Sequence, residues 1–344
     1  MSDPAITNSA DLAPARPETL PAPRPGPLRR ALRLVFGTRL RTVMPRMIGG
    51  LSVVLLLWYG VLGGIVMHRI DANPDFAPPN PVEGGSHAIN MAAALVEREV
   101  DTYRWSVNDP WFFPTASLDN MPNFQRGMLR AVSRFSIEMM DKVGRTRGTA
   151  QLDDDLERAV GLLQFPGDVW VLDLDKSWLP VVPAEVQYRA AVRALNAYNQ
   201  RRAAGVAVFE RRADVLALAL ARLGADMNAR AAVLDRHVQT SRRTIDFRAD
   251  DIFYFNKGLL YAYYMVLREL GRDFEPVLAG AGTMPIWEQA MESLRKASRL
   301  RPLVVLNAPG DDSLFANHLF MQGFYMKRAI MQLDEVVRVL TVRG

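Results

Sequence analysis

Met47 to Met67 reads MIGGLSVVLLLWYGVLGGIVM, 21 residues without Asp, Glu, Lys, Arg or His. At about 1.5 Å per residue a helix of this length covers ~31 Å, close to the ~30 Å hydrocarbon core of a bilayer. A helix satisfies its own backbone groups, which is what lets it cross. A cleaved signal peptide has a short leading segment and an apolar core of only about 7–15 residues. Here 46 residues precede a longer run. A buried core helix would carry a polar stripe, and none is present. The run is therefore read as an uncleaved, single-pass transmembrane anchor.

The flanks orient it. Arg29, Arg30, Arg33, Arg39, Arg41 and Arg46 precede the run with no acid among them. His68 and Arg69 follow it, then Asp71, Asp75 and Glu83. The positive-inside rule puts the N-terminus in the cytoplasm and residues 68–344 across the membrane. For a bacterial inner membrane that space is the periplasm. Residues 1–27 hold seven prolines and read as a disordered cytoplasmic tail. Residues 28–46 form a basic juxtamembrane segment, read either as an interfacial helix on anionic headgroups or as a stop signal that fixes topology. Gly60 and Gly64 form a GxxxG, a spacing that offers a homodimer face. The frequency of glycine in membrane helices is the other explanation. Trp58 and Tyr59 stand near mid-span, away from the interfacial belts where such rings collect.

Charge narrows the partners. The chain carries 42 basic and 37 acidic residues, and residues 1–46 hold eight Arg against three acids. The remainder is neutral, so it lacks the positive field that phosphate binding needs, and no nucleic-acid partner is expected. Absence of Cys excludes disulfides, thiolate metal sites, iron–sulfur clusters and a thiol nucleophile. The partners expected are the lipid bilayer and periplasmic or inner-membrane proteins.

Residues 68–86 are read as a linker, with four prolines and Gly84–Gly85 in the stretch from Asp71 to Ser86. From residue 87 to 344 the apolar spacing is helical nearly throughout. This predicts an all-α helical bundle of six to eight helices. Met91, Leu95, Val96, Val100 and Tyr103 mark the first helix. Pro122 suits the first turn of the second, which runs to about Val143. Further helices are expected over 152–165, from Pro183 to an interruption at Gly205, and along Leu216, Leu220, Leu223, Met227, Leu234 and Val238. Asp250–Asp251 is read as the N-cap of the next, with Ile252, Phe255, Leu259, Tyr263, Val266 and Leu270 inside. Trp287 to Ala297 and a last helix capped by Asp311–Asp312 complete the set. VWVLDL, residues 169–174, is the one strand-like run, with an extended loop as its alternative.

Four histidines, His68, His87, His237 and His318, show no paired ligand spacing, and no phosphate loop, dinucleotide fingerprint or nucleophile elbow is present. No cofactor, metal or catalytic residue is assigned, and the balance leans away from an enzyme. Three patches mix rings with amides and charges. The first holds Trp111, Asp119, Asn120, Asn123, Gln125 and Arg126. The second holds Asp250, Asp251, Asn256 and Lys257. The third holds Asn317 and His318. Such mixtures line sugar or peptide grooves. They equally make plugs, caps and hydrogen-bonded cores. Lys257 is one of only five lysines. Near a helix N-terminus it should need a compensating carboxylate, with Asp119, Asp250 or Asp251 as candidates.

Three motifs stand in order: W-x-x-N-D-P-W-F-x-P at Trp105–Pro114, L-D-N-M-P-N-F-Q-R-G at Leu118–Gly127, and F-Y-F-N-K-G at Phe253–Gly258. Behind a basic tail and one membrane span, they resemble the uncharacterised bacterial membrane proteins grouped as domain of unknown function 2333, over about residues 45–344. The resemblance implies a location and no activity. The leading reading is a non-catalytic envelope scaffold or assembly factor. The alternative is a binding module or enzyme acting on peptidoglycan or another envelope glycan.

Overall fold

The computed structural model describes residues 43–146, 152–172, 178–241, 246–302 and 318–343. The tail, all but the last four residues of the basic segment, the Asp311–Asp312 cap and Asn317 lie outside them. The chain divides into two units, residues 1–55 and 56–344.

The apolar run is helical, as its composition requires. Helix α1 (Val43–Met67) is the one described helix long and apolar enough to cross a membrane. Its second half, Leu56–Met67, is wound with the wider i→i+5 hydrogen bonds of a π-helix.

From residue 87 onward the all-α expectation holds. The helices are α2 (His87–Glu97), α3 (Asn120–Glu138), α4 (Asp154–Leu163), α5 (Ala184–Ala203), α6 (Ala213–Thr240), α7 (Phe247–Asp273), α8 (Glu275–Gly280), α9 (Met284–Arg299) and α10 (His318–Arg343). The extra element is the short α8, too brief to show a periodic pattern. α2 and α3 each continue through one wider turn, Arg98–Thr102 and Met139–Val143. Side chains start several of them. Ser86 accepts from Ile89 N at 3.2 Å, and Asp153 accepts from Asp155 N and Leu156 N.

Helix α7 is central and packs on α2, α3 and α9, while α10 bridges α6 and α9 and α5 bridges α2 and α4. Its burial is almost complete from Asn256 to Leu267. That is why the aromatic density of this stretch belongs to the core: Phe253, Tyr261 and Tyr263 are fully buried.

Three local expectations are corrected. Helix α7 begins at Phe247, capped by Asp246, whose carboxylate accepts from Arg248 N at 3.0 Å. Asp250 and Asp251 lie inside its first turns, because Asp246 offers an equally good cap one turn earlier. Residues 169–172 are not a strand. They are extended chain, with Val171 O accepting from Val181 N and Val169 O from Ala184 N. The only strands among the described residues are β1 (Gly144–Thr146) and β2 (Ala207–Phe209), an antiparallel pair with Arg145 opposite Val208.

The segment expected to be a linker is laid against the bundle. Arg98 donates to Asp71 O at 3.1 Å, Tyr261 to Asn73 O at 2.8 Å, and Arg268 to Pro74 O at 2.5 Å and Phe76 O at 3.2 Å. Asn90 exchanges two hydrogen bonds with Val82. Its prolines keep it extended and lack N–H groups that would need partners. This strap therefore fixes how the chain leaving α1 enters the domain.

Candidate functional site

The second and third motifs meet where α3 crosses α7. Both elements carry a glycine at the crossing, and each glycine faces the other helix's backbone. A Cβ on Gly127 would fall on the Phe255 carbonyl, with Leu259 N at 3.0 Å. A Cβ on Gly258 would fall on the Phe124 carbonyl, with Met128 N at 3.0 Å. Only glycine on both sides allows this approach, which accounts for the final residue of each motif.

One turn towards the start of α7, the crossing gathers carboxylates. Asn123 donates to Asp251 Oδ1 at 2.6 Å and accepts from Arg126 at 3.4 Å. Burial, then Asp119 and Asp251, push the Asp250 carboxyl up to about 6. Burial and Asp119, which hydrogen-bonds to it, also raise the Asp251 carboxyl. Three carboxylates close together cannot all ionise freely, so one proton is retained more tightly than in water. A group whose folded pKa is raised opposes folding when ionised, so its cost appears as pH rises from about 4 through 6. Asp250→Asn is therefore expected to raise the melting temperature at about pH 7.5 and to leave it nearly unchanged at about pH 4. An equal shift at both pH values in thermal unfolding would mean Asp250 carries no such charge penalty.

Among the described residues Lys257 does not find a carboxylate. It is 3% exposed, and its Nζ donates to Leu300 O, the residue that ends α9. Burial, with Arg301 nearby, lowers its ammonium to about 8. The expectation fails because α7 starts earlier than the sequence suggested, which moves Lys257 into its third turn. The Leu300 carbonyl, just past the last turn of α9, then supplies the partner that a carboxylate was expected to supply. The Phe253 ring lies 6.0 Å from the same ammonium.

The remaining candidates disperse. Gln125 is fully buried in another network. Its Oε1 accepts from Ser106 N and Ser106 Oγ, both at 2.9 Å, and its Nε2 donates to Arg104 O and Glu99. Arg126 also borders a 470 Å³ cleft with Trp105, Arg130, Asp168 and Tyr188. Asn256 is buried with its amide nitrogen unpaired among the described residues. Asn120 opens α3, and His318 opens α10 with its imidazole pKa lowered by burial. Trp111 stands on an exposed loop beside α1.

The family comparison bears on these motifs directly. The family described as an uncharacterised protein conserved in bacteria, DUF2333, matches residues 82–231 and 218–343. The chain belongs to this family. No curated protein and no solved structure matches it. Of the motifs quoted above, the second and third are the two sides of the DUF2333 α3–α7 crossing.

Beyond Gln125, the sequence reading missed the buried polar network that Gln125 joins through Glu99. Arg98 and Glu99, both buried, pair at 2.8 Å. Arg98 also donates to Tyr261 Oη at 2.9 Å and lies 4.7 Å over the Phe76 ring. Burial pushes the Glu99 carboxyl up, against the pull of Arg98. A signal existed: Arg98 falls three residues after Leu95 and seven after Met91, on the apolar stripe. A charge on a buried stripe needs a partner.

Two further arrangements define what the domain can do chemically. Ser241, Asp246 and His237 cluster, but Asp246 sits in the middle. It accepts from Ser241 Oγ at 2.6 Å and contacts His237 Nε2 at 2.9 Å. An imidazole base must hold the hydroxyl itself, so this order caps α7 and does not activate serine. A cleft of 860 Å³ lies under the strap and is lined by Arg202, Arg211, Arg268, Glu269, Arg272 and Asp273 among others. Two of its acids are engaged. Glu269 pairs with Arg268 and Arg272 at 2.8 Å each, and Asp273 accepts from Ser86, His87 N and Ala88 N at the start of α2.

Proposed function

We propose that this DUF2333 protein is a single-pass inner-membrane protein, N-terminus in the cytoplasm, that presents its helical domain in the periplasm as a non-catalytic scaffold or assembly factor. The observation that carries this reading is the strap. An enzyme on a tether needs reach, whereas Asp71 to Phe76 is bonded at four points to α2 and α7, which holds the domain at the anchor. The occupied state of the polar residues supports it further. Lys257 is spent on the carbonyl after α9, Asp251 on Asn123 and Gln125 on Ser106, while Phe253, Tyr261 and Tyr263 of the aromatic stretch are fully buried and offer no face to a sugar.

A reporter active only in the periplasm, fused after Gly344, is expected to be on, and a cytoplasmic one silent. The reverse pattern would invert the topology. The scaffold role is tested by complementing a deletion strain with folded variants. Asp119→Asn and Asp251→Asn are expected to support growth and envelope integrity at wild-type level. A variant that folds normally yet fails to complement would favour chemistry or ligand binding at the crossing.

A further inference from the structure

The first motif remains unexplained by the crossing. Pro110 to Leu118 reads PWFFPTASL, nine residues without a charge. The loop is clamped to the side of α1. Trp58 Nε1 donates to Phe112 O and Tyr59 Oη donates to Trp111 O, both at 3.0 Å. A Cβ on Gly63 would fall on the Pro114 carbonyl, and one on Gly64 would lie 3.4 Å from Leu118. Gly63 and Gly64 therefore serve a contact within the chain, whereas Gly60 meets only Leu56 of its own helix.

We propose that this loop is a second membrane contact, lying in the leaflet on the domain's side of the bilayer that α1 crosses. It rests on the reading of α1 as a membrane span. Trp58 precedes Met67 by nine residues, about two turns of the wider helix, so the clamp sits well inside the apolar run. Whatever medium surrounds this part of α1 also surrounds the loop bonded to it. The loop is built for that medium. Trp111 is 81% exposed and Phe112 stands half exposed beside it. Irregular backbone at such depth must have its polar groups satisfied. Pro110 and Pro114 have no N–H. Three of its seven N–H groups, those of Phe113, Ala116 and Leu118, donate to carbonyls within the loop, and the side chains of Trp58 and Tyr59 cover two of its carbonyls, so the remaining groups place the loop towards the headgroup side of the leaflet. Asp109, at the loop's entrance, is buried and paired with Arg104 at 2.6 Å. Trp170 packs on Phe112 at 5.9 Å and on Phe113 at 6.4 Å. Leu172, next to it but one, is also exposed. The mid-span position of Trp58 and Tyr59 thereby acquires a cause: they are hydrogen-bond donors to the loop.

The chain has no cysteine, so single-site labelling is clean. Full-length protein carrying Leu57→Cys, Trp111→Cys or Glu83→Cys, each with a nitroxide label, is placed in phosphatidylethanolamine–phosphatidylglycerol vesicles. Relaxation by oxygen and by a water-soluble nickel chelate is compared. Labels at 57 and 111 are expected to favour oxygen several-fold over the label at 83. A lipidic 57 with an aqueous 111 overturns this contact and leaves α1 as a simple span. Aqueous labels at both overturn the contact and the membrane reading together. Trp111 uses its carbonyl in the clamp and its ring is exposed, so the substitution spares the fold. Quenching by bromine-labelled lipids supplies a second measurement. Trp111→Phe is expected to remove part of the quenched emission, and unchanged quenching overturns the contact.

Discussion

Gly258→Ala is expected to destabilise the domain by about 3 kcal/mol or more. The new methyl would meet the Phe124 carbonyl carbon at 2.8 Å and Met128 N at 3.0 Å, and both are backbone atoms that cannot rotate away. Relief requires α3 and α7 to separate along their whole contact, which loosens Phe124, Met128, Leu259 and Tyr261 together. Overpacking of a core typically costs about 1–3 kcal/mol, and a backbone clash at the central crossing belongs at or above the top of that range. Gly127→Ala, its mirror across the crossing, is expected to behave alike. Gly161 provides the contrast. It lies exposed in α4 with nothing within 4 Å of a Cβ, so Gly161→Ala is expected to stabilise by about 0.5–1 kcal/mol through helix propensity. Urea unfolding of the detergent-solubilised chain checks all three. A Gly258→Ala protein as stable as wild type would show that the helices do not approach this closely.

Arg98→Met is the second large effect. It leaves Glu99 buried beside no cation, and breaking a buried ion pair costs about 3–5 kcal/mol. It also removes the Arg98 bonds to Tyr261 and to Asp71 O, so the strap should loosen and become cleavable by protease between Asp71 and Phe76. Adding Glu99→Gln is expected to recover part of the lost stability, since the unpaired charge is then gone, but not the strap's protection. Unfolding curves and limited proteolysis separate these two consequences. Stability within about 1 kcal/mol of wild type in the single variant would mean Glu99 is protonated or reached by water.

Much of this architecture was legible beforehand, and the failures have physical causes. Apolar spacing announced α2, α6 and α7, because a helix buried on one side must repeat its apolar residues near 3.6, while α1 was announced by an unbroken apolar run. The start of α7 was misplaced because Asp246 and Asp250 are equally acceptable caps, and only packing chooses between them. VWVLDL looked like a strand because β-branched and aromatic residues also suit extended chain that finds its partners in loops. The strap was read as a spacer since prolines and glycines report extension, not what the extended chain lies against. At the crossing, the sequence showed which residues were unusual, and two of the patches proved to be neighbours. It could not show that Lys257 would answer to the end of α9, a partner more than forty residues away and invisible to local spacing.

The glycine crossing also sets a timetable. Its two halves are separated by about 130 residues, so α3 leaves the ribosome long before α7 exists. At roughly 5–20 residues per second that interval is on the order of ten seconds. Throughout it, α2 to α6 have no central helix to close upon, and Phe124, Met128 and Leu129 stay uncovered. The nascent chain is consequently most vulnerable to aggregation and proteolysis in the window before Gly258 emerges. A holdase that binds aromatic, helical segments would have its greatest benefit there, and a chain truncated just before α7 would be its longest-lived client.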